Sequence, residues 1–420
     1  MAQAQTHNVA AGADPGGRPL ALPVTPPAAH SAAHPTAHSA THLFVDISAH
    51  GFGHLAQAAP ILNALQRQRP GLRLTLRSAL PEARLKSRID GAFTHIAAAS
   101  DFGFAMHDAL NIDLPATLRR YRRQHADWAR RVDAEARFLD TLRPDLVLTD
   151  VAYLPLAGAA HAGIPAWSMC SLNWADLFAH FFVDRENDDH GQDAAARRQR
   201  EERCKIHGEI LAAYRSAALF LRLTPAMPMH DFGNTRAIAP VAALGMPRRA
   251  ELAEKLALAP DERLVLITYG GFDHDLGAAR WPHLPGIRWL VPQSWQIRRP
   301  DMAALESLLS PDFTFSDLLA SADALLAKPG YGTFVEAACN GIPVLYQRRG
   351  DWPEQDYLID WLEQNACCRE IAPEMLVRGA LASSLKALWR DAEETPNRPP
   401  RPRPDGIAEA AQLLSAQLTH

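Results

Sequence analysis

The chain has 420 residues, 47% of them hydrophobic, and a formal charge of −4 at pH 7, which leaves room for two ordinary domains with substantial cores. The near-neutral balance has no domain-wide basic excess, which speaks against nucleic acid as a partner, and no apolar run reaches the roughly 18 residues of a membrane span. Five cysteines (Cys170, Cys204, Cys339, Cys367, Cys368) show neither CxxC nor zinc spacing, and an odd, sparse set with no apolar signal region ahead of it fits a reducing, cytoplasmic setting.

Residues 1–41 are rich in Ala, Pro, His, Thr and Gly. That composition cannot bury a core and reads as a disordered tail. Its histidines His7, His30, His34 and His38 are irregularly spaced, unlike a defined metal site. Residues 43–47 read as the first strand. After the loop 48–53, Leu55, Ala58, Ala59, Leu62 and Leu65 repeat at helical spacing. Further strands are expected at 72–77, 145–150 and 166–169, with a helix at 154–162 between the last two. The pattern then restarts, with strands expected at 264–269, 287–291, 324–327 and 344–346. Alternating strands and helices predict parallel sheets with helices on both faces. Pro225 and Pro228 interrupt the chain between the two series. The expected division is a tail at 1–41, an α/β domain at 42–230, a second at 231–395, and a linker with a final helix at 396–420. The charged stretch 184–205 reads as an exposed helix or excursion.

The stretch Ala327-Lys328-Pro329-Gly330-Tyr331-Gly332-Thr333-Phe334-Val335-Glu336-Ala337 carries the most chemistry. It reads as a buried strand, a glycine turn, and a helix opened by Thr333. Free backbone N–H groups and the positive end of a helix dipole suit a diphosphate there, and glycines allow close approach. Glu336, one turn inside, could accept both hydroxyls of a ribose. The same Thr333 and Glu336 also fit a capping box that needs no ligand. His50-Gly51-Phe52-Gly53-His54 follows the first strand, where open α/β sheets bind ligands. His54 at a helix start is expected to be neutral, because the dipole disfavours the imidazolium. Asp150, ending a later strand, could orient such a base, and each residue could equally be a helix cap. Gly270-Gly271 closes the first strand of the second series, as room for a ligand or as a turn. Asp273-His274-Asp275 superficially matches a metal-binding DxD, a pattern also common in exposed loops. Asp351 and Gln355 follow the 344–346 strand, as ligands for sugar hydroxyls or as helix-starting residues. Arg119, Arg120, Arg122, Arg123, Arg130 and Arg131 make a basic face, either solvated or in contact with an anionic acceptor or membrane surface.

In this order the segments resemble the nucleotide-sugar glycosyltransferases of the GT-B fold. Gly330, Gly332, Thr333 and Glu336, followed by 341–345, match the donor signature of those enzymes. Gly53-His54 resembles the position of their catalytic histidine, and 146–152 the segment bearing its aspartate partner. The N-terminal glycosyltransferase-like domain of the L-arabinokinase family is similar across most of 43–375, while the kinase half's Gly-Leu-Ser-Ser-Ser run is absent. The base-binding tryptophan-to-glutamine segment is only hinted at by 289–293. Asp351 competes with Glu354-Gln355 for the sugar-reading pair.

The resemblance implies two Rossmann-like doubly wound parallel-sheet domains facing a central cleft, with the donor held on the second. Its diphosphate would meet Gly330, Tyr331, Gly332 and Thr333, and its ribose Glu336. Its sugar would lie near Gly53, Gly270, Gly271, Asp351 and Gln355. The implied activity is inverting transfer from a nucleoside diphosphate sugar, UDP among the candidates. His54 would be the base and Asp150 its partner. No metal is required, since the helix dipole would steady the leaving diphosphate. The acceptor is a small molecule, a lipid-linked species or a glycan. A nucleotide-sugar binding or regulatory protein without turnover, and a sugar-nucleotide epimerase, share this architecture.

Overall fold

The structure is a computed structural model that describes residues 41–185, 194–270, 276–394 and 400–419. The tail apart from Thr41, part of the charged stretch 184–205, Gly271, the triplet Asp273-His274-Asp275 and positions 395–399 of the linker lie outside those residues.

The first sheet is built from β1 (His42–Ile47), β2 (Arg73–Arg77), β3 (Thr94–Ile96), β4 (Leu146–Asp150), β5 (Ala166–Cys170), β6 (Leu219–Leu223) and β7 (Thr235–Ile238). The second is built from β8 (Arg263–Thr268), β9 (Ile287–Val291), β10 (Met302–Ala304), β11 (Ala324–Ala327), β12 (Val344–Tyr346) and β13 (Cys368–Glu370). Their orders are β3-β2-β1-β4-β5-β6-β7 and β10-β9-β8-β11-β12-β13. Both sheets are parallel throughout. Strand order reverses between β1 and β4 and again between β8 and β11, and those reversals are where open α/β sheets hold ligands. The first sheet runs past the boundary drawn at 230. β7 pairs with β6 from Phe220↔Thr235 to Leu223↔Ile238, so the prolines at 225 and 228 lie inside one sheet's connection.

Four helices matter for the site: α1 (Gly53–Gln68), α2 (Tyr331–Asn340), α3 (Glu354–Asn365) and α4 (Gly406–Gln417). The central strands are apolar on both faces, as buried parallel strands must be. Leu43, Val45 and Ile47 of β1 and Leu146 and Leu148 of β4 join one apolar cluster with Leu264, Leu266 and Leu325 of the second sheet. Leu55 and Leu62 of α1, Phe334 and Val335 of α2, and Leu414 of α4 belong to the same cluster. A single layer of helices therefore fills the space between the sheets. The opposite faces bury Phe44 and Val147 in an aromatic cluster, and Val265 and Ile267 in another.

Within this layer α1 and α2 meet almost backbone to backbone. A Cβ on Gly332 would stand 2.8 Å from Ala56 Cβ, closer than two carbons pack. Gly332 thus serves a helix–helix contact, where the sequence suggested a phosphate contact. Gly332→Ala is expected to cost about 1–3 kcal/mol as overpacking, even though Ala is the better helix former. Combined with Ala56→Gly, it should cost less than the sum of the two single changes. Urea denaturation of the three variants measures this, and a Gly332→Ala chain as stable as the parent would contradict the close contact.

Candidate active site

Both walls of the site are strand-to-helix turns. In the first sheet, β1 pairs with β4 so that Ile47 lies beside Asp150. The chain then turns through Gly51 at φ +89° and enters α1 at Gly53. This brings His54, in the first turn, over the end of β4. Its Nδ1 is 3.2 Å from each carboxylate oxygen of Asp150. The two residues are 5% and 0% exposed. Cys170, ending β5, places Sγ 3.9 Å from the same nitrogen. The Trp174 ring lies edge-on to the imidazole at 5.9 Å between centroids.

In the second sheet, Ala327 of β11 pairs with Thr268 of β8. Lys328, Pro329 and Gly330 lead from β11 into α2. Gly330 caps the helix in an extended conformation with no side-chain hydrogen bond. Gly270, at φ +81°, lies against the lysine: a Cβ there would be 3.7 Å from Lys328 Nζ. The two turns face one open cleft. His50, Gly53 and His54 line it from one side, and Gly270, Lys328, Gly330, Tyr331, Gly332 and Thr333 from the other, with Arg349, Trp352 and Glu354 completing it.

No family model matches the chain. The L-arabinokinase of Arabidopsis thaliana is 24% identical over 352 residues, which is 79% of this chain and 30% of that protein. The chain thus spans less than a third of the relative it matches. A UDP-glucosyltransferase from Polygonum tinctorium superposes with a TM-score of 0.53 at 14% identity, covering 90% of this chain and 99% of that one. Medicago truncatula UGT71G1, solved with UDP-glucose, gives 0.51 at 12% identity over 90% and 98%. The chain has the GT-B fold.

Several residues expected in the cleft of this GT-B molecule are elsewhere. α2 begins at Tyr331, two residues before Thr333, so Thr333 is not a cap and forms no capping box with Glu336. Glu336 is buried and held by Arg88, whose Nη1 lies 2.9 Å from Oε1. It does not line the cleft, because its position on α2 turns it toward the first-sheet side where Arg88 waits. Asp351 also lies outside the lining: its carboxylate takes His180 Nε2 at 2.9 Å and the Arg185 guanidinium. Gln355 is turned inward, its Oε1 accepting from Arg349 N at 3.0 Å and its Nε2 donating to Gly350 O at 2.9 Å. Tyr331 reaches the cleft, but its hydroxyl donates to Thr224 O at 3.1 Å and accepts from Val241 N at 3.0 Å. On the basic face, Arg122 pairs with Glu202 and Arg130 with Asp127.

Other charged residues stand in the cleft wall. Glu354 is buried in the cleft wall; Ser171 Oγ donates to its Oε1 at 2.7 Å and Trp352 Nε1 to its Oε2 at 3.1 Å. Lys328 and Arg349 supply the cations. Both directly follow strand ends, one after β11 and one shortly after β12, and that position was the available sequence signal.

The electrostatics reverse one expectation. Burial alone would lower the His54 pKa, but the Asp150 charge and hydrogen bond, with Cys170 behind them, hold it well above the ordinary 6.5. The helix dipole is outweighed, because a carboxylate at 3.2 Å in a desolvated wall acts more strongly than a partial charge. Asp150 itself is raised by burial, against the opposing pull of His54. Burial, His54, Arg349 and Lys328 together hold His50 well below its ordinary range. Burial and the neighbouring Arg349 do the same to Lys328. His54 is therefore expected to titrate above 6.5 by NMR, and to fall when Asp150→Asn removes the charge while burial remains. A parent His54 that loses its proton at or below 6.5 would contradict the pairing.

Proposed function

We propose that this chain is an inverting glycosyltransferase that moves a sugar from a nucleoside diphosphate sugar to an acceptor hydroxyl. The observation that carries this reading is the His54–Asp150 contact in the wall of the cleft that also holds Lys328 and the uncapped N-terminus of α2. A base with its orienting carboxylate lies on one side, and a ready anion site on the other.

Nδ1 of His54 is committed to Asp150, which leaves Nε2 for the acceptor. In this reading Nε2 takes the acceptor proton as the acceptor oxygen bonds to the anomeric carbon. The bond from that carbon to the diphosphate oxygen breaks on the opposite face with its electron pair, so configuration inverts. Asp150 stabilises the imidazolium that results. The departing charge falls to the α2 amides and Lys328, so the reading assigns no step to a metal. Burial and Arg349 hold Lys328 below its usual range, and an arriving diphosphate would raise it again. With Arg88 on Glu336, the reading gives the ribose no carboxylate partner.

UDP-sugars are the donors to try first, since the Medicago protein was solved with UDP-glucose. UDP-, dTDP- and GDP-sugars screened by thermal shift should include one that raises the melting temperature; at a hundred times its Kd a ligand adds about 2.7 kcal/mol. His54→Ala should then lower transfer by about 10²–10⁴-fold and keep the melting shift. In the parent, kcat/KM should fall on the acid side through a pKa above 6.5, because the base must lose its proton first. Asp150→Asn should move that limb to lower pH and slow the reaction. Undiminished turnover by His54→Ala would remove the histidine from the mechanism. A melting shift with no release of diphosphate, for any acceptor tried, would favour binding without turnover.

A further inference from the structure

Arg349 sits in the cleft in a setting built to hold it still. It follows β12 on the loop into α3. Gln355, itself 7% exposed, clamps that loop by bonding Arg349 N at 3.0 Å and Gly350 O at 2.9 Å. The guanidinium carbon lies over Trp352, 3.9 Å from the ring centroid. Trp352 is 3% exposed and is fixed in turn by its Nε1 bond to Glu354. Arg349 Nε is buried and has no hydrogen-bond partner. Among the described residues no carboxylate lies within ion-pair distance of the guanidinium. The acids that bear on it are Glu354 and Asp108. Glu354 is occupied by Ser171 and Trp352, and Asp108 by the backbone N–H groups of Leu110 and Asn111 and by the Asn111 side chain. Burial pushes Arg349 down to about 10 despite those two acids.

A part-buried guanidinium whose Nε is out of water, with no carboxylate in ion-pair reach among the described residues, is costly to keep. An anionic ligand offsets that cost, and the planar fork of arginine suits a carboxylate in particular. The diphosphate already has Lys328 and the α2 amides. Arg349 is one strand further along, on the loop where the sugar-reading positions were expected. Resting on the glycosyltransferase reading above, we propose that the donor is a nucleoside diphosphate uronic acid and that Arg349 binds the carboxylate of the transferred sugar. The carboxylate is a spectator. The acceptor oxygen still bonds to the anomeric carbon, the diphosphate leaves with its electron pair, and His54 takes the proton.

The test is calorimetric binding of UDP, UDP-glucose and UDP-glucuronate to the whole chain, as parent, Arg349→Met and Arg349→Lys. The parent is expected to prefer UDP-glucuronate to UDP-glucose by about 10- to 100-fold, the scale of a hydrogen bond to a charged group. Arg349→Met should bring that ratio near one, and Arg349→Lys should leave it in between. UDP, which has no sugar, reports on the intactness of the nucleotide site in each variant. A parent that binds the two sugars equally or prefers glucose overturns the proposal. So does an Arg349→Met that weakens all three ligands by one factor, since the guanidinium would then sit on phosphate. Failure of all three ligands to bind the parent overturns a UDP-uronate donor, whereas failure of the dTDP- and GDP-sugars as well would end the nucleotide-sugar reading itself.

Discussion

The architecture depends on the near-contact between α1 and α2. Each helix springs from a point where strand order reverses, α1 after β1 and α2 after β11, and each carries part of the site in its first turn. Gly332 against Ala56 lets the two first turns meet. The apolar layer around them is continuous from Leu43 of one sheet to Leu325 of the other. Burying each such leucine is worth about 1.5–3 kcal/mol, so the contact is held by many small terms. Its chemical result is that a histidine from one sheet and a glycine turn from the other share one cleft.

Charge in that cleft is arranged by burial. Asp150 raises the basicity of His54, while burial and neighbouring cations lower that of His50 and burial and Arg349 lower that of Lys328. The cleft thus sets cations held below their ordinary basicity beside a histidine held above its own, with Asp150 behind that histidine. An anionic ligand would relax the whole set at once. A neutral ligand of the same shape would not.

Much of this was legible in the sequence, and the failures have physical reasons. The buried central strands form where they were expected, because an apolar run that is buried on both faces leaves little choice. Short strands such as β3, β10 and β13, of three residues each, carry too little pattern to see. Spacing alone could not pair His54 with Asp150; the resemblance implied the pair, and the register of β1 against β4 brings it within hydrogen-bonding distance. Glu336 shows the limit most clearly. Its place in the motif suggested a ligand, but whether a helical carboxylate meets a sugar or an arginine depends on what packs opposite. Arg88 lies 248 residues away in the chain. Gln355, in the first turn of α3, turns inward onto the loop before it. It braces Arg349, which carried no motif of its own.

The return of α4 to α1 bears on how the molecule is made. Arg69, just past α1, donates to Ser415 O at 3.0 Å and to Leu418 O at 3.3 Å, across a separation of 346 residues for the first of these bonds. Leu414, Ala410 and Ala411 are fully buried in the same layer. During synthesis the first sheet can therefore assemble with one flank of α1 still bare, and that flank is covered only when the distant helix emerges. Until then the growing chain carries a greasy stripe of the kind that chaperones hold and that neighbouring nascent chains can pair through.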